Sequence, residues 1–295
     1  MESKRIIALG FFDGVHVGHG ALLDTCREMA QAMGARAAAV TFSTHPDALV
    51  SGKAPGLINS IYDREMLMRT LYRMDEVITL PFDKETMSMS WQTFFHMLRQ
   101  KYGAAGLVCG HDFRFGKHGE GNGEKLAAIC AEYGLVCRIV PEQKIDGITV
   151  SSTHIRGLLE RGDMEQAALF LGHPHIISGI VVPGKHLGRT LGVPTANLVL
   201  PEALVRPRQG VYACKAEVAG MTCLAVTNLG TRPTVGGENL TVEPWLLDFE
   251  GDLYGKRLTL SFYRFLRPER KFSSLEELRE EIQKNAAQTR KFFEK

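Results

Sequence analysis

Residues 8–23, ALGFFDGVHVGHGALL, decide how the N-terminal half of this chain is read. An apolar run, RIIALGFF over 5–12, ends in an Asp-Gly pair, and His16 and His19 then follow three positions apart with glycines around them. The run has the continuous, partly β-branched character of a buried strand. The segment after it, GALLDTCREMAQAMG over 20–34, repeats Leu22, Leu23, Cys26, Met29, Ala30 and Met33 on one helical face and stops at Gly34. His16 and His19 therefore stand where a strand hands over to a helix. Two imidazoles at i and i+3 project from one helical face. A helix N-terminus adds backbone N–H groups and a partial positive charge. Gly14 and Gly18 put no side chain in the way of a phosphate approaching the backbone. These features predict an anion site suited to a nucleoside triphosphate. Two other readings stay open: a zinc site through His-x-x-His, for which no third ligand is suggested nearby, and two histidines packed beside a turn. The phosphate loop GXXXXGK[ST] is absent, so this is not a P-loop.

Outward from this stretch the same alternation continues. ARAAAVTF (35–42), EVITLPF (76–82), AAGLVCG (104–110) and LVCRIV (135–140) read as further strands. DREMLMRTLYRM (63–74), SWQTFFHMLRQKYG (90–103) and NGEKLAAICAEYG (122–134) read as helices. Five strands alternating with four helices predict an α/β unit, a doubly wound parallel sheet with ligands beyond the carboxyl ends of its strands. His16 and His19 follow the first strand, where such a site lies. The helical stretch SSTHIRGLLERGDMEQAALFLG (151–172) comes next, and then the texture changes. HIISGIVV, GVYACKAEV, TCLAVTNLG, LTVEPWLLDF and RLTLSFYRFL are short β-like runs separated by turns, which predicts a small antiparallel barrel or sandwich. An amphipathic helix over 274–295 closes the chain, with Ser274 as its N-cap. The expected domains are 1–174 and 175–295.

Composition bounds the function. The chain has 295 residues, 44% of them hydrophobic, and a net charge of only +2 with acids and bases interleaved, which argues against a dedicated nucleic-acid binder. No apolar run approaches a membrane span, and the N-terminal run is too short for a signal-peptide core, so the cytoplasm is the expected compartment. Six cysteines, at 26, 109, 130, 137, 214 and 223, form no C-x-x-C and mostly sit in apolar segments. They are expected to be reduced packing residues.

GFFDGVHVGH resembles the H-x-G-H element of the nucleotidylyltransferase superfamily. With FSTHPDALV, CGHDFRFGKHGEGN and VSSTHIRGLLERGD in the first half, it is similar to one branch, the bacterial bifunctional riboflavin kinase/FMN adenylyltransferases. GKHLGRTLGVPTANL, GVYACKAEV, NLGTRPTVGG and the run from Val242 to Phe272 resemble the kinase half of that family. The resemblance covers nearly the whole chain. It implies that riboflavin and ATP give FMN in the C-terminal half, and that FMN and ATP give FAD in the N-terminal half. It also implies Mg²⁺, and small-molecule partners (riboflavin, FMN, ATP) with no nucleic acid or membrane. The chain is expected to be a monomer or a weak homo-oligomer.

The implied roles follow the motifs. His16 and His19 would hold ATP phosphates. Ser151, Ser152 and Thr153 would offer hydroxyls and backbone donors, and Arg156 a guanidinium fork for the β- and γ-phosphates. An S-S-T cluster outside this family is more often only a helix cap. Asp112, Phe113 and Arg114 would contact flavin, although Phe113 and Phe115 equally suit core anchors of the loop. In the kinase half, Lys185, Gly188 and Arg189 would touch ATP phosphates beneath a glycine flap. Thr195 and Asn197 would offer hard oxygen ligands to Mg²⁺, with Asn197 also toward ATP. Glu243 would be the base for the riboflavin 5′-hydroxyl. The family commonly reads Glu-Thr-His there, whereas this chain has Glu-Pro-Trp. Arg290 would contact flavin, and Asn285 stands where the family more often has Asp.

Overall fold

The computed structural model describes residues 4–50, 55–183, 195–200, 204–234 and 237–294. The chain forms two compact units, Met1–Pro55 with Arg64–Ser151, and Gly56–Asp63 with Ser152–Lys295.

In order, the described elements are β1 (Arg5–Leu9), α1 (Val17–Met33), β2 (Arg36–Phe42), α2 (Pro46–Val50), α3 (Ile61–Thr70), β3 (Glu76–Leu80), α4 (Lys84–Ser88), α5 (Trp91–Gln100), β4 (Ala104–Gly110), α6 (Gly123–Glu132) and β5 (Val136–Val140). There follow β6 (Lys144–Ile145), β7 (Ile148–Thr149), α7 (Ser152–Arg161), α8 (Met164–Leu171), β8 (His175–Val182), β9 (Asn197–Val199), β10 (Gly210–Val218), β11 (Met221–Thr234), β12 (Gly237–Leu246), β13 (Arg257–Arg267) and α9 (Leu275–Phe293).

In the first unit five parallel strands run in the order β3-β2-β1-β4-β5. Ile7, Leu9, Val40, Leu107 and Cys109 meet Phe94, Phe95 and Leu98 of α5 and Leu126 and Cys130 of α6. On α1, Leu22, Leu23, Cys26 and Ala30 of the expected face are buried and Met29 is half-buried, whereas Met33, in the last turn beyond the sheet's cover, is exposed. β1, β2 and β4 are almost wholly buried, which is why they read as continuous apolar runs rather than alternating ones. The short helices α2 and α4 and the β6–β7 hairpin were not legible in the pattern, being too short to carry a period.

The second unit carries a six-stranded antiparallel sheet, β12-β11-β10-β13-β8-β9. Its ends meet: Thr195 bridges Trp245, and the Ala196 N–H donates to the Pro244 carbonyl at 2.9 Å. A nearly closed barrel results, with α9 laid on one face. The helical stretch over 151–172 divides into α7 and α8, because the Asp163 carboxylate caps the second helix by accepting from the Gln166 N–H.

All six cysteines are free. Cys26, Cys109, Cys130 and Cys214 are buried, whereas Cys137 and Cys223 are only half-buried. Burial pushes the Cys26 and Cys109 thiols up to about 12, so they pack as protonated, inert groups.

His175 opens the first barrel strand at 1% exposure, and neither ring nitrogen has a hydrogen-bond partner among the described residues. Burial first, and His173 second, push its pKa down to about 3. Below pH ~6.5 the unfolded chain binds a proton that the folded chain refuses. Stability therefore falls with pH from there down to the folded value, by up to about 1.4 kcal/mol per pH unit. His175→Phe is expected to flatten the loss of melting temperature between pH 7 and pH 5, and an unchanged slope would clear His175.

Candidate active sites

In the first unit the strand order reverses direction at β1. The chain proceeds outward through β2 and β3 and then returns to place β4 on the other side of β1. The carboxyl ends of β1 and β4 thus flank the switch point where doubly wound sheets bind ligands. His16 and His19 follow β1, while Asp112, Phe113 and Arg114 follow β4. Segments nearly a hundred residues apart thus leave the sheet at the ends of neighbouring strands.

The turn between β1 and α1 is tightly wound. Phe12 (φ 58°), Gly14 (φ 86°) and Val15 (φ 42°) all have left-handed backbone, and Asp13 is buried. His16 is the N-cap of α1, where its Nδ1 accepts from the His19 N–H at 3.2 Å. An acceptor at Nδ1 puts the proton of the neutral ring on Nε2, leaving that N–H as the donor. The two imidazoles stack with centroids 3.6 Å apart and planes at 11°. A Cβ at Gly18 would lie 3.2 Å from His16 Cε1 and Nδ1, so glycine lets the imidazole lie across the helix start. That same Cβ would lie 3.9 Å from the Val150 carbonyl oxygen, which puts Ser151 next in chain to the His-x-Gly-His turn.

His19 rests edge-on against Phe12 at 5.2 Å. Its pKa is held well below the ordinary histidine value by burial, then by His16, then by Arg64. It is neutral at neutral pH, and its buried Nδ1 has no hydrogen-bond partner among the described residues. Buried polar atoms are usually hydrogen-bonded, so this one sets His19 apart from an ordinary packed histidine. Among the described residues no group of three or more His, Cys, Asp or Glu side chains is arranged to hold a metal.

Asp112 and Arg114 are exposed on the loop after β4. Phe113 stacks on Phe115 at 5.4 Å and both pack against the core, so the anchor reading describes their contacts. In the second unit, Ser152 and Thr153 begin α7, and Arg156 donates from Nε to the Gly56 carbonyl at 2.8 Å, which fixes the direction of its side chain.

The kinase candidates come together at the barrel closure. The antiparallel bridge of Thr195 to Trp245, continued two residues, sets Asn197 across from Glu243. Thr195, Asn197, Glu243 and Trp245 consequently share one face. On the other side of β12, Asn228 pairs with Glu243, and its Nδ2 donates to Glu269 Oε1 at 2.9 Å. Pro244 is tolerated because its carbonyl points toward Ala196. Its missing donor faces the same way, so the β11–β12 ladder runs on unbroken. Trp245 packs with Val226, Leu247 and Ala286 beneath α9. Arg290 is held by Asp248, both of whose carboxylate oxygens accept from its Nη2, at 2.8 and 3.0 Å. The buried Asn285 accepts from Arg267 Nε at 3.0 Å, a bond its amide oxygen makes as a carboxylate would. Lys185, Gly188 and Arg189 lie outside the described residues.

Sequence reasoning passed over Arg64 and Thr41, which both hold the β1–α1 turn, and the Asn228–Glu269 pair. One signal was available: Arg64 precedes the buried Leu67 and Met68 by three and four residues, a charged group on the core face of a helix.

The family model for FAD synthetase matches residues 1–154, and that for riboflavin kinase matches residues 171–293. The bifunctional riboflavin kinase/FMN adenylyltransferase of Listeria monocytogenes is 34% identical, covering 100% of this chain and 94% of its own length. The Bacillus subtilis enzyme of the same name is 34% identical over 99% and 93%, and that of Escherichia coli K12 35% over 98% and 92%. A crystal structure described as a macrolide-efflux protein from Streptococcus pneumoniae matches with a TM-score of 0.85 at 29% identity, covering 98% of this chain and 95% of that one. Among the described residues no helix is long and apolar enough to cross a membrane. With both family models matched in order and full-length relatives above 30% identity, the chain belongs to the bifunctional riboflavin kinase/FMN adenylyltransferases.

Proposed function

We propose that the chain makes FAD in two steps: riboflavin and ATP give FMN and ADP in the C-terminal half, and FMN and ATP then give FAD and pyrophosphate in the N-terminal half. The reading of the first unit rests above all on the stacked His16–His19 pair with its buried, unsatisfied His19 Nδ1 at the sheet switch point. In adenylyl transfer, an FMN phosphate oxygen attacks the α-phosphorus of ATP and the bond to the β-phosphate breaks. The nucleophile is already an oxyanion, so positioning and charge stabilisation carry the rate. His16 Nε2–H, Ser151, Ser152, Thr153 and Arg156 hold the ATP phosphates, with Gly14 and Gly18 admitting them. Asp112, Phe113 and Arg114 contact the flavin.

In the kinase half, the riboflavin 5′-hydroxyl attacks the γ-phosphorus, its proton passes to Glu243, and ADP leaves. Lys185, Gly188 and Arg189 contact phosphates, and Arg290, braced by Asp248, meets the flavin. The neutral oxygens of Thr195 and Asn197, set beside the Glu243 carboxylate, suit a hard cation such as Mg²⁺. An ion held there by Thr195 and Asn197 would neutralise phosphate charge on ATP. We place the functional boundary at 174/175, supported by β8 beginning at His175. The chain works in the cytoplasm on small molecules, with no nucleic acid, as a monomer or weak homo-oligomer. Its six free cysteines fit a reducing compartment.

The test is a time course with riboflavin and MgATP, the flavins being separated by chromatography. FMN is expected to rise before FAD, and chelating the magnesium to stop both steps. Riboflavin left untouched while supplied FMN becomes FAD would locate a defect in the kinase half, with Pro244 and Trp245 the first suspects. Turnover of neither flavin would overturn the proposal.

A further inference from the structure

We propose that Arg64 is a positioning residue for adenylyl transfer, its guanidinium clamping the strained turn that carries His16 and His19. This rests on reading those histidines as the phosphate-binding pair. Arg64 is 0% exposed, among the largest wholly buried side chains of the protein. Its Nη1 donates to the Phe11 carbonyl at 2.7 Å and its Nη2 to the Phe42 carbonyl at 3.0 Å. Its guanidinium carbon lies over the Phe11 ring, 4.3 Å from the ring centroid. The Phe11 carbonyl accepts a second bond, from Thr41 Oγ1 at 2.8 Å. Phe11 follows β1, while Thr41 and Phe42 end β2, so the fork ties the carboxyl ends of two neighbouring strands together.

The turn beyond Phe11 needs such a tie. Phe12 and Val15 hold left-handed backbone despite carrying a Cβ, and Val15 is β-branched. Such backbone is strained and persists only where its surroundings over-determine it. Phe12, the residue after the clamped carbonyl, lies edge-on against His19. The mechanical path runs from Arg64 through Phe11 and Phe12 to the imidazole. A core-facing helix position that needed only volume would be filled more favourably by Leu or Met, since burying a guanidinium carries a heavy desolvation cost. Two donors in a fixed plane are what the two carbonyls use, and lysine cannot supply them. The guanidinium charge also joins burial and His16 in disfavouring the His19 imidazolium.

Arg64→Lys, Arg64→Met and Thr41→Val test the clamp, each assayed for both steps in the same preparation, with FMN formation from riboflavin reporting the C-terminal half and a thermal melt reporting the fold of the first unit. Arg64→Lys is expected to lower kcat for FMN to FAD by about 100-fold while KM for ATP moves by no more than about threefold, the signature of misplaced transition-state groups. The imidazole titration of His19, followed by NMR, is expected to move up toward the ordinary value in Arg64→Met, which removes the charge, and to stay low in Arg64→Lys, which keeps it. Should Arg64→Met fail to fold, Arg64→Lys and Thr41→Val carry the test. They share the Phe11 carbonyl as acceptor, so their losses in kcat should be non-additive. Parental kcat in Arg64→Lys, or strict additivity with Thr41→Val, overturns the inference. His16→Ala measured alongside separates the two levels. If it keeps FAD synthesis, the reading of the histidines fails; if it loses FAD synthesis while Arg64→Lys keeps it, only the clamp does.

Discussion

His16→Ala is expected to abolish FAD formation from FMN, with a fall in kcat of at least about 100- to 1000-fold, while FMN formation from riboflavin stays at the parental rate. The magnitude follows from what the imidazole does. It caps α1 through Nδ1 and by that bond keeps the proton of the neutral ring on Nε2, so one substitution removes an oriented donor and loosens the helix N-terminus. Loss of the cap alone costs about 1 kcal/mol of stability. His16→Asn restores a capping oxygen without the Nε2–H, so it separates the two contributions. It should recover the melting temperature and leave FAD synthesis lost. The kinase step is the internal control. If His16→Ala stops both steps with the fold intact, the two-site assignment is wrong.

Glu243→Gln should give the reverse pattern. Phosphorylation of riboflavin is expected to fall by about 100- to 10,000-fold, while supplied FMN is still converted to FAD. Glutamine keeps the volume and a carbonyl oxygen but cannot take a proton from the 5′-hydroxyl. Glu243 is half-buried on β12 between Asn197 on one side and Asn228 on the other, and its side chain takes no part in the backbone bonds of the β11–β12 ladder or the barrel closure, so neutralising it leaves both in place. A rate unchanged in steady-state assays of the kinase step would dismiss Glu243 as the base.

The departures that drew attention to this region carry different weights. Pro244 leaves the β11–β12 ladder intact because its missing N–H faces the Thr195–Ala196 edge. Asn285 keeps the bond from Arg267 that a carboxylate would make. Trp245 is the consequential one, as it fills the space under α9 on the face that carries Glu243.

Much of this was legible in the residues themselves. A buried parallel strand must be apolar on both faces and a covering helix on one. The runs over 5–12, 35–42 and 104–110 and the stripe from Leu22 to Met33 therefore announced an α/β unit, and period-two runs after 175 a β one. The His-x-Gly-His turn declared itself because anion binding at a helix start needs glycine and donors within a few consecutive residues. Tertiary structure alone decided which distant segments meet. The order β3-β2-β1-β4-β5 puts the end of β4 beside the end of β1, which leads to His16 and His19, and barrel closure sets Asn197 opposite Glu243. It also turned Arg64, one charged residue in an ordinary helical run, into a wholly buried clamp. The physical reason is one of range. Periodicity and caps arise between residues a few positions apart and are written in the local sequence. Strand partners, register and the burial of a single cation are settled by packing over the whole unit.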